Sequence, residues 1–222
     1  MKKVNQIFIL LILAFLVGGC NTSKSEGNIY NIMDYGASGD GKSDDASAIQ
    51  KAIDKCSENG GGIVLVPAGH TFLCGPIHLA SFVNLQLEPN SRLLANPDEK
   101  IYKESAFKEN EGEGMMWISG KDLKNISIAG RGEIDGNGVA FMGKELSDSY
   151  ELKPITDFDP RPHVITLINC QNITVKDVTL KQGAYWTLHL IGCYDANIDG
   201  INILNNLKIR NGDGIDVDHS KK

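Results

Sequence analysis

KNISIAG at 124–130, QNITVKD at 171–177 and ANIDGIN at 196–202 each place Asn-Ile at the head of an alternating apolar and polar run. Alternation with period two marks a strand with one buried face. Cys170 and Cys193 lie 23 residues apart in the same region. A repeat of about 23 residues holding several short strands fits a solenoid whose coils stack on one another. Working outward, short β-runs cover 28–34, 63–66, 82–87, 92–95, 115–119, 164–168, 187–190 and 201–204, separated by turn residues. A sandwich of antiparallel hairpins competes, and Asp135-Gly136 and Asp199-Gly200 are turn dipeptides that it would use. The repeat spacing favours the solenoid. Residues 96–113 and 138–162 show no periodicity and read as long loops, common places for ligand contacts.

One helix is expected in an otherwise all-β chain. Ser43, Asp44 and Asp45 offer capping oxygens and negative charge to a helix start. Ala46, Ile49, Ala52, Ile53 and Cys56 recur at helical spacing until Asn59 and three glycines stop them, so the pattern predicts a helix over 44–57. The neighbouring GASGDGKS at 36–43 satisfies the phosphate-loop pattern GxxxxGK[ST]. Asp40, Asp44 and Asp45 crowd negative charge where phosphate needs N–H groups and a positive end. No strand-and-helix alternation follows. Nucleotide binding is not expected.

The 222 residues are 41% hydrophobic, enough for one sizeable core. Glycine is abundant at 24 residues and aromatics make up 7%, which favours turn-rich β structure. A net charge of −6 offers nucleic acid no basic face, and a polyanion would need a local group of cations. Arg161, His163, Lys208 and Arg210 are candidates for that group, and ordinary solvated charge explains them equally well. Cys56, Cys74, Cys170 and Cys193 form no CxxC and match no zinc spacing, so they read as buried free thiols. No metal or cofactor is expected.

At the N-terminus, Lys2 and Lys3 precede an apolar run over 7–17, too short to cross a bilayer as a folded helix. It ends in Val17-Gly18-Gly19-Cys20, which resembles the lipobox of a bacterial lipoprotein. That resemblance implies a signal peptide over 1–20, a lipidated Cys20 and an exported product touching the membrane only through its anchor. An unlipidated secretory signal is the plainer alternative. Residues 21–28 suit a tether, leaving 29–222 as one domain. The sequons at Asn125 and Asn172 carry little weight in such a protein.

DYGASGDGKSDDASAIQKAIDKCSENGGGIVLVPAG at 34–69 resembles the N-terminal segment of pectate-lyase-like proteins. The fold implied is a single-stranded right-handed parallel β-helix with a helix capping its open end. On that resemblance Asp44 and Asp45 are capping residues. Further segments resemble glycoside hydrolase family 28, the polygalacturonases and related pectin-cleaving enzymes. In order they are GPIHLASFVNLQLEPNSRLLA at 75–95, AGRGEIDGNG at 129–138, RPHVITLINCQNITVKDVTL at 161–180, YWTLHLIGC at 185–193 and NGDGIDVD at 211–218.

The family's first catalytic segment reads Asn-Thr-Asp and then Gly-(Ile/Phe)-Asp; here Asn211-Gly212-Asp213-Gly214-Ile215-Asp216 stands there, with Gly212 for Thr. The resemblance implies that Asp213 helps activate a water for attack at the anomeric carbon. It implies substrate contacts from Asn211, Asp216 and His189. A histidine alternating with apolar residues is more often packed than catalytic, and composition alone would make Asp213 a turn aspartate bonding its own backbone. The family's later Asp-Asp, Gly-His-Gly and Arg-Ile-Lys segments do not occur in the 222 residues. The expectation is therefore a monomeric N-terminal fragment of an inverting pectin hydrolase, inactive by itself, whose partner is pectic polysaccharide. Two rivals remain: a β-helix polysaccharide lyase using a base and Ca²⁺, and a non-catalytic carbohydrate-binding solenoid.

Overall fold

The computed structural model describes residues 28–107, 113–145, 152–154 and 160–221. The expected signal peptide, Cys20 and nearly all of the tether lie outside these residues, as do parts of both expected loops.

The chain winds through three parallel sheets. The first contains Ile29–Asn31, Gly62–Val66, Val83–Leu87, Lys124–Gly130, Gln171–Lys176 and Tyr194–Asp199. The second contains Asp40–Asp44, Thr71–Cys74, Arg92–Ala95, Glu133–Asp135, Thr179–Lys181 and Asn202–Leu204. The third contains Ile77–His78, Met115–Lys121, Pro162–Ile168, Leu188–Ile191 and Ile215–Asp218. Each strand pairs with its counterpart one coil on, giving the right-handed parallel β-helix. Among the described residues the only antiparallel strand ladder joins Met142–Glu145 to Leu152–Pro154, so the hairpin sandwich is excluded.

Alternation along the strands turns one set of side chains inward, and stacking aligns these into aliphatic ladders. One runs Val64, Leu85, Ile128, Val175; a second Phe72, Leu93, Ile134, Leu180; a third Ile77, Ile118, Ile165, Leu188. All twelve are buried, each stabilising the fold by roughly 1.5–3 kcal/mol relative to exposure.

The coil repeat varies where loops enter. Ile63 pairs with Asn84, 21 residues on, and Gln171 with Tyr194, 23 residues on. Lys124 pairs with Gln171, 47 residues on, because the 138–161 region enters between them. Asn125 and Asn172 therefore stack, both with positive φ, their side chains bonded at 2.5 Å. ANIDGIN is two residues out of this register: Asp195, not Asn197, continues the positive-φ column, and Ile173 pairs with Ala196.

The helix covers Ala46–Glu58 and turns Ala48, Ile49, Ala52, Ile53 and Cys56 onto the first coils. Asp44 caps it, accepting from Ala46 N–H at 2.9 Å. Asp45 instead accepts from Ser38 N–H and Gly39 N–H, and Asp40 from Lys42 and Ser43 N–H. The amides a phosphate would need are thus occupied by the chain's own carboxylates, and the Ser43 and Lys42 bonds lower the Asp40 pKa to about 2. After the helix, Gly61 sits at φ +105°, where a Cβ would stand 2.4 Å from the Phe82 carbonyl oxygen. Only glycine fits there. All four described cysteines are buried free thiols.

Candidate active site

The strand Ile215–Asp218 forms the edge of the third sheet, in register with Leu188–Ile191 so that His189 stands beside Asp216. Ile215 continues the inner ladder, which puts Asp216 and Asp218 on the outer face with His189, Thr166, Ser119 and His78 in line. Asp213 lies in the preceding turn. Its carbonyl accepts from Thr187 N–H at 2.9 Å, and that of Gly214 from Leu188 N–H at 3.1 Å. These bonds fix its backbone while the side chain is exposed. Among the described residues its carboxylate makes no hydrogen bond, so it is not a turn aspartate bonding its own backbone.

The three carboxylates sit in different surroundings. Asp218 Oδ2 lies 2.6 Å from His189 Nε2 and is half exposed. Asp216 is half-buried, and its Oδ2 is shut from solvent with no partner. Burial first, then the charges of Asp213 and Asp218, raise its pKa against the opposing pull of His189. His189 itself is fully buried, its Nδ1 3.2 Å from His163 Nδ1. Both ring nitrogens are engaged within the protein, which is the packed role its alternation suggested.

The turn carrying Asp213 is anchored from below. Arg161 Nη1 donates to the carbonyls of Ala184 (2.9 Å) and Arg210 (2.7 Å), and Nη2 donates to Asn211 Oδ1 (3.2 Å). Its guanidinium carbon stands 4.8 Å from the centre of the Tyr185 ring. Asn211 thus takes the buried cation with its side chain while adopting φ +58°. Asn205 Nδ2 bonds Thr187 Oγ1 and the Gly212 carbonyl. Gly212 has no positive φ, and a Cβ there would meet the Ile209 oxygen at 3.2 Å and Asn205 Cβ at 4.0 Å. The glycine is therefore not demanded by backbone conformation.

His163 stacks on Tyr185 with ring centres 5.0 Å apart and planes 3° from parallel, and Phe107 meets it edge-on. Burial, then His189, lowers its pKa to about 3. Arg161 and His163 are therefore neither cleft cations nor solvated charge, whereas Lys208 and Arg210 are exposed. The internal roles of Arg161, His163, Asn205 and Tyr185 were not foreseen. Apart from the Asn205–Gly212 bond, their partners lie 18 or more residues away, leaving no local sequence signal.

A sequence model described as glycosyl hydrolases family 28 matches residues 56–222. An exopolygalacturonase of Zea mays is 28% identical over 230 residues, covering 99% of this chain and 52% of that one. The hyperthermoactive exopolygalacturonase of Thermotoga maritima superposes with a TM-score of 0.68 at 25% identity, over 85% of this chain and 49% of that chain. The family 28 exopolygalacturonase of Yersinia enterocolitica shares the fold with a TM-score of 0.73 at 24% identity, over 87% and 42%. The chain spans about half the length of these relatives.

Proposed function

The chain belongs to glycosyl hydrolases family 28, and from that membership we propose that it is part of an enzyme cleaving pectin by inverting hydrolysis. The observation that carries the site assignment is Asp213: an exposed carboxylate, free of side-chain bonds, on a backbone pinned to the preceding coil. Its role is to take a proton from the water that attacks the anomeric carbon. Asn211 and Asp216 border that position, and His189 supports it from beneath. Inversion needs a second carboxyl roughly 6.5–9.5 Å away to protonate the leaving oxygen. Asp213, Asp216 and Asp218 all lie on one turn and strand, one side of such a gap. The 222 residues alone are therefore expected to leave pectin uncut, general acid assistance being worth roughly 10²–10⁴-fold.

The test uses the complete protein as its cell makes it. Reducing ends released from polygalacturonate, with the first-formed anomer of opposite configuration by NMR, are expected, and Asp213→Asn should cut kcat at least about a hundredfold. Unsaturated products absorbing in the ultraviolet would replace hydrolysis by elimination. Pectin binding that survives Asp213→Asn, with no turnover by the unsubstituted protein, would leave a binding solenoid. The same reading makes the protein an exported, monomeric lipoprotein held by lipid at Cys20. Incorporation of labelled fatty acid that Cys20→Ser abolishes would support the anchor; unlabelled protein would remove it.

A further inference from the structure

Beneath the acidic strand runs a chain of side chains, Asp218, His189 and His163, none of which carries a proton in the hydrolysis outlined above. The bonds are 2.6 Å from Asp218 Oδ2 to His189 Nε2 and 3.2 Å between the two Nδ1 atoms. The imidazoles come from neighbouring coils, and both are fully buried. A carboxylate only accepts, so His189 Nε2 carries the proton of the first bond. Two Nδ1 atoms in contact need one donor and one acceptor. Were His189 the donor there, His163 Nδ1 would accept and a neutral His163 would carry its proton on Nε2, a buried donor with no partner. With both rings neutral, His163 Nδ1–H donates and its Nε2 is left as a lone pair. That atom is buried and has no partner, as this arrangement requires.

We propose that His163 is a positioning residue of the site: donating from Nδ1–H, it fixes His189 in the Nε2–H tautomer, which commits that proton to Asp218 and withholds it from Asp216. The register makes the choice consequential. Asp216 is the residue directly beside His189, yet the imidazole bonds Asp218 across the diagonal and leaves Asp216 Oδ2 orphaned. Two carboxylates on one strand are thereby set apart: Asp218 accepts an N–H donor, while Asp216 Oδ2 has none and burial favours its protonated form. The charged and titratable groups facing the two rings are Asp216, Asp218 and Tyr185, with Asp213 acting on Asp216, Arg161 over the Tyr185 ring and Glu113 Oε1 at its hydroxyl. The value of this division for catalysis rests on the pectin-hydrolase reading; the tautomer assignment does not.

The experiment is two-bond ¹H–¹⁵N correlation on the 222-residue protein labelled in its histidines, which needs no pectin. At neutral pH His189 is expected with Nε2 protonated and Nδ1 bare, and His163 with Nδ1 protonated and Nε2 bare. A proton on His163 Nε2, or an imidazolium at His189, would overturn the proposal. His163→Phe keeps a ring and removes the donor. It should cost His189 its single-tautomer pattern and lower the Asp216 ¹³C titration midpoint toward the ordinary carboxylate range. His163→Asn, which restores an N–H near Nδ1, should recover both. Unchanged His189 and Asp216 signals in the Phe variant would make His163 packing alone. If the Phe variant does not fold, the tautomers of the unsubstituted protein still decide. Should those appear while the complete enzyme fails on pectin, the hydrolase reading falls and this one stands.

Discussion

Arg161 carries its charge at 1% exposure, and the structure spends its guanidinium on main-chain carbonyls and on Asn211 rather than on a ligand. Lysine has no planar fork to reach both carbonyls and the amide together. Arg161→Lys should therefore lower stability by about 2–3 kcal/mol, read as a lower urea midpoint at unchanged slope. An unchanged midpoint would mean that the Asp213 turn holds itself. His163 sets a pH dependence of its own. The unfolded chain binds a proton there near its ordinary value of 6.5, whereas the native state resists protonation down to about 3. Its contribution is therefore complete above pH 6.5 and is lost as pH falls toward 3, by at most about 1.4 kcal/mol per pH unit. Urea midpoints of the unsubstituted protein should fall from pH 7 to pH 5 more steeply than those of His163→Phe; parallel profiles would contradict the burial assigned to this ring.

At the scale of elements, the capping helix is where local pattern and structure agree best. Ile53 has no exposure and lies on the face that closes the first coils, so Ile53→Ala should cost about 2–5 kcal/mol in the same urea measurement. A loss below about 1 kcal/mol would show the cap to be dispensable. This helix was legible because five apolar positions at helical spacing outvote one misassigned aspartate: Asp45, whose side chain was read as a cap, bonds the loop before the helix, while Asp44 does cap it. The strands were legible unevenly: in the second sheet only Arg92–Ala95 and Asn202–Leu204 fell within the expected runs. Glu133–Asp135 and Thr179–Lys181 have three residues and one inward side chain each, Ile134 and Leu180, too short to display a period of two. Asp40–Asp44 is polar throughout and belongs to its sheet by backbone pairing alone. The site divides the same way. Asp213 could be found from NGDGIDVD, a contiguous motif, while the Asp218–His189–His163 chain joins residues 26 and 29 apart that only coil stacking brings together.

At the scale of the whole solenoid, the described residues present two unlike faces, at the first coil and at the last. At the first coils the helix Ala46–Glu58 lies over the core and buries it. At the other end the three sheets finish together, at Tyr194–Asp199, Asn202–Leu204 and Ile215–Asp218, each an edge strand in its sheet. The aliphatic ladders finish there too: Ile198 and Ile203 are half-buried, and Ile215 is 46% exposed. Val217 and Leu204, at 60% and 59% exposure, add to this apolar rim. Unpaired ladder groups beside exposed β-branched side chains form a template for another strand, and proteins that tolerate such edges blunt them with charge. The 222-residue polypeptide should accordingly self-associate with rising concentration, seen as a growing mass in light scattering after size exclusion. Val217→Lys with Leu204→Lys should return it to monomer, because each lysine places an ammonium on the rim at a position already more than half exposed. Association unaffected by the two lysines would locate the contact elsewhere. A monomer at every concentration would mean that the carboxylates interleaved with these residues, Asp216 and Asp218, already protect the edge that carries the site.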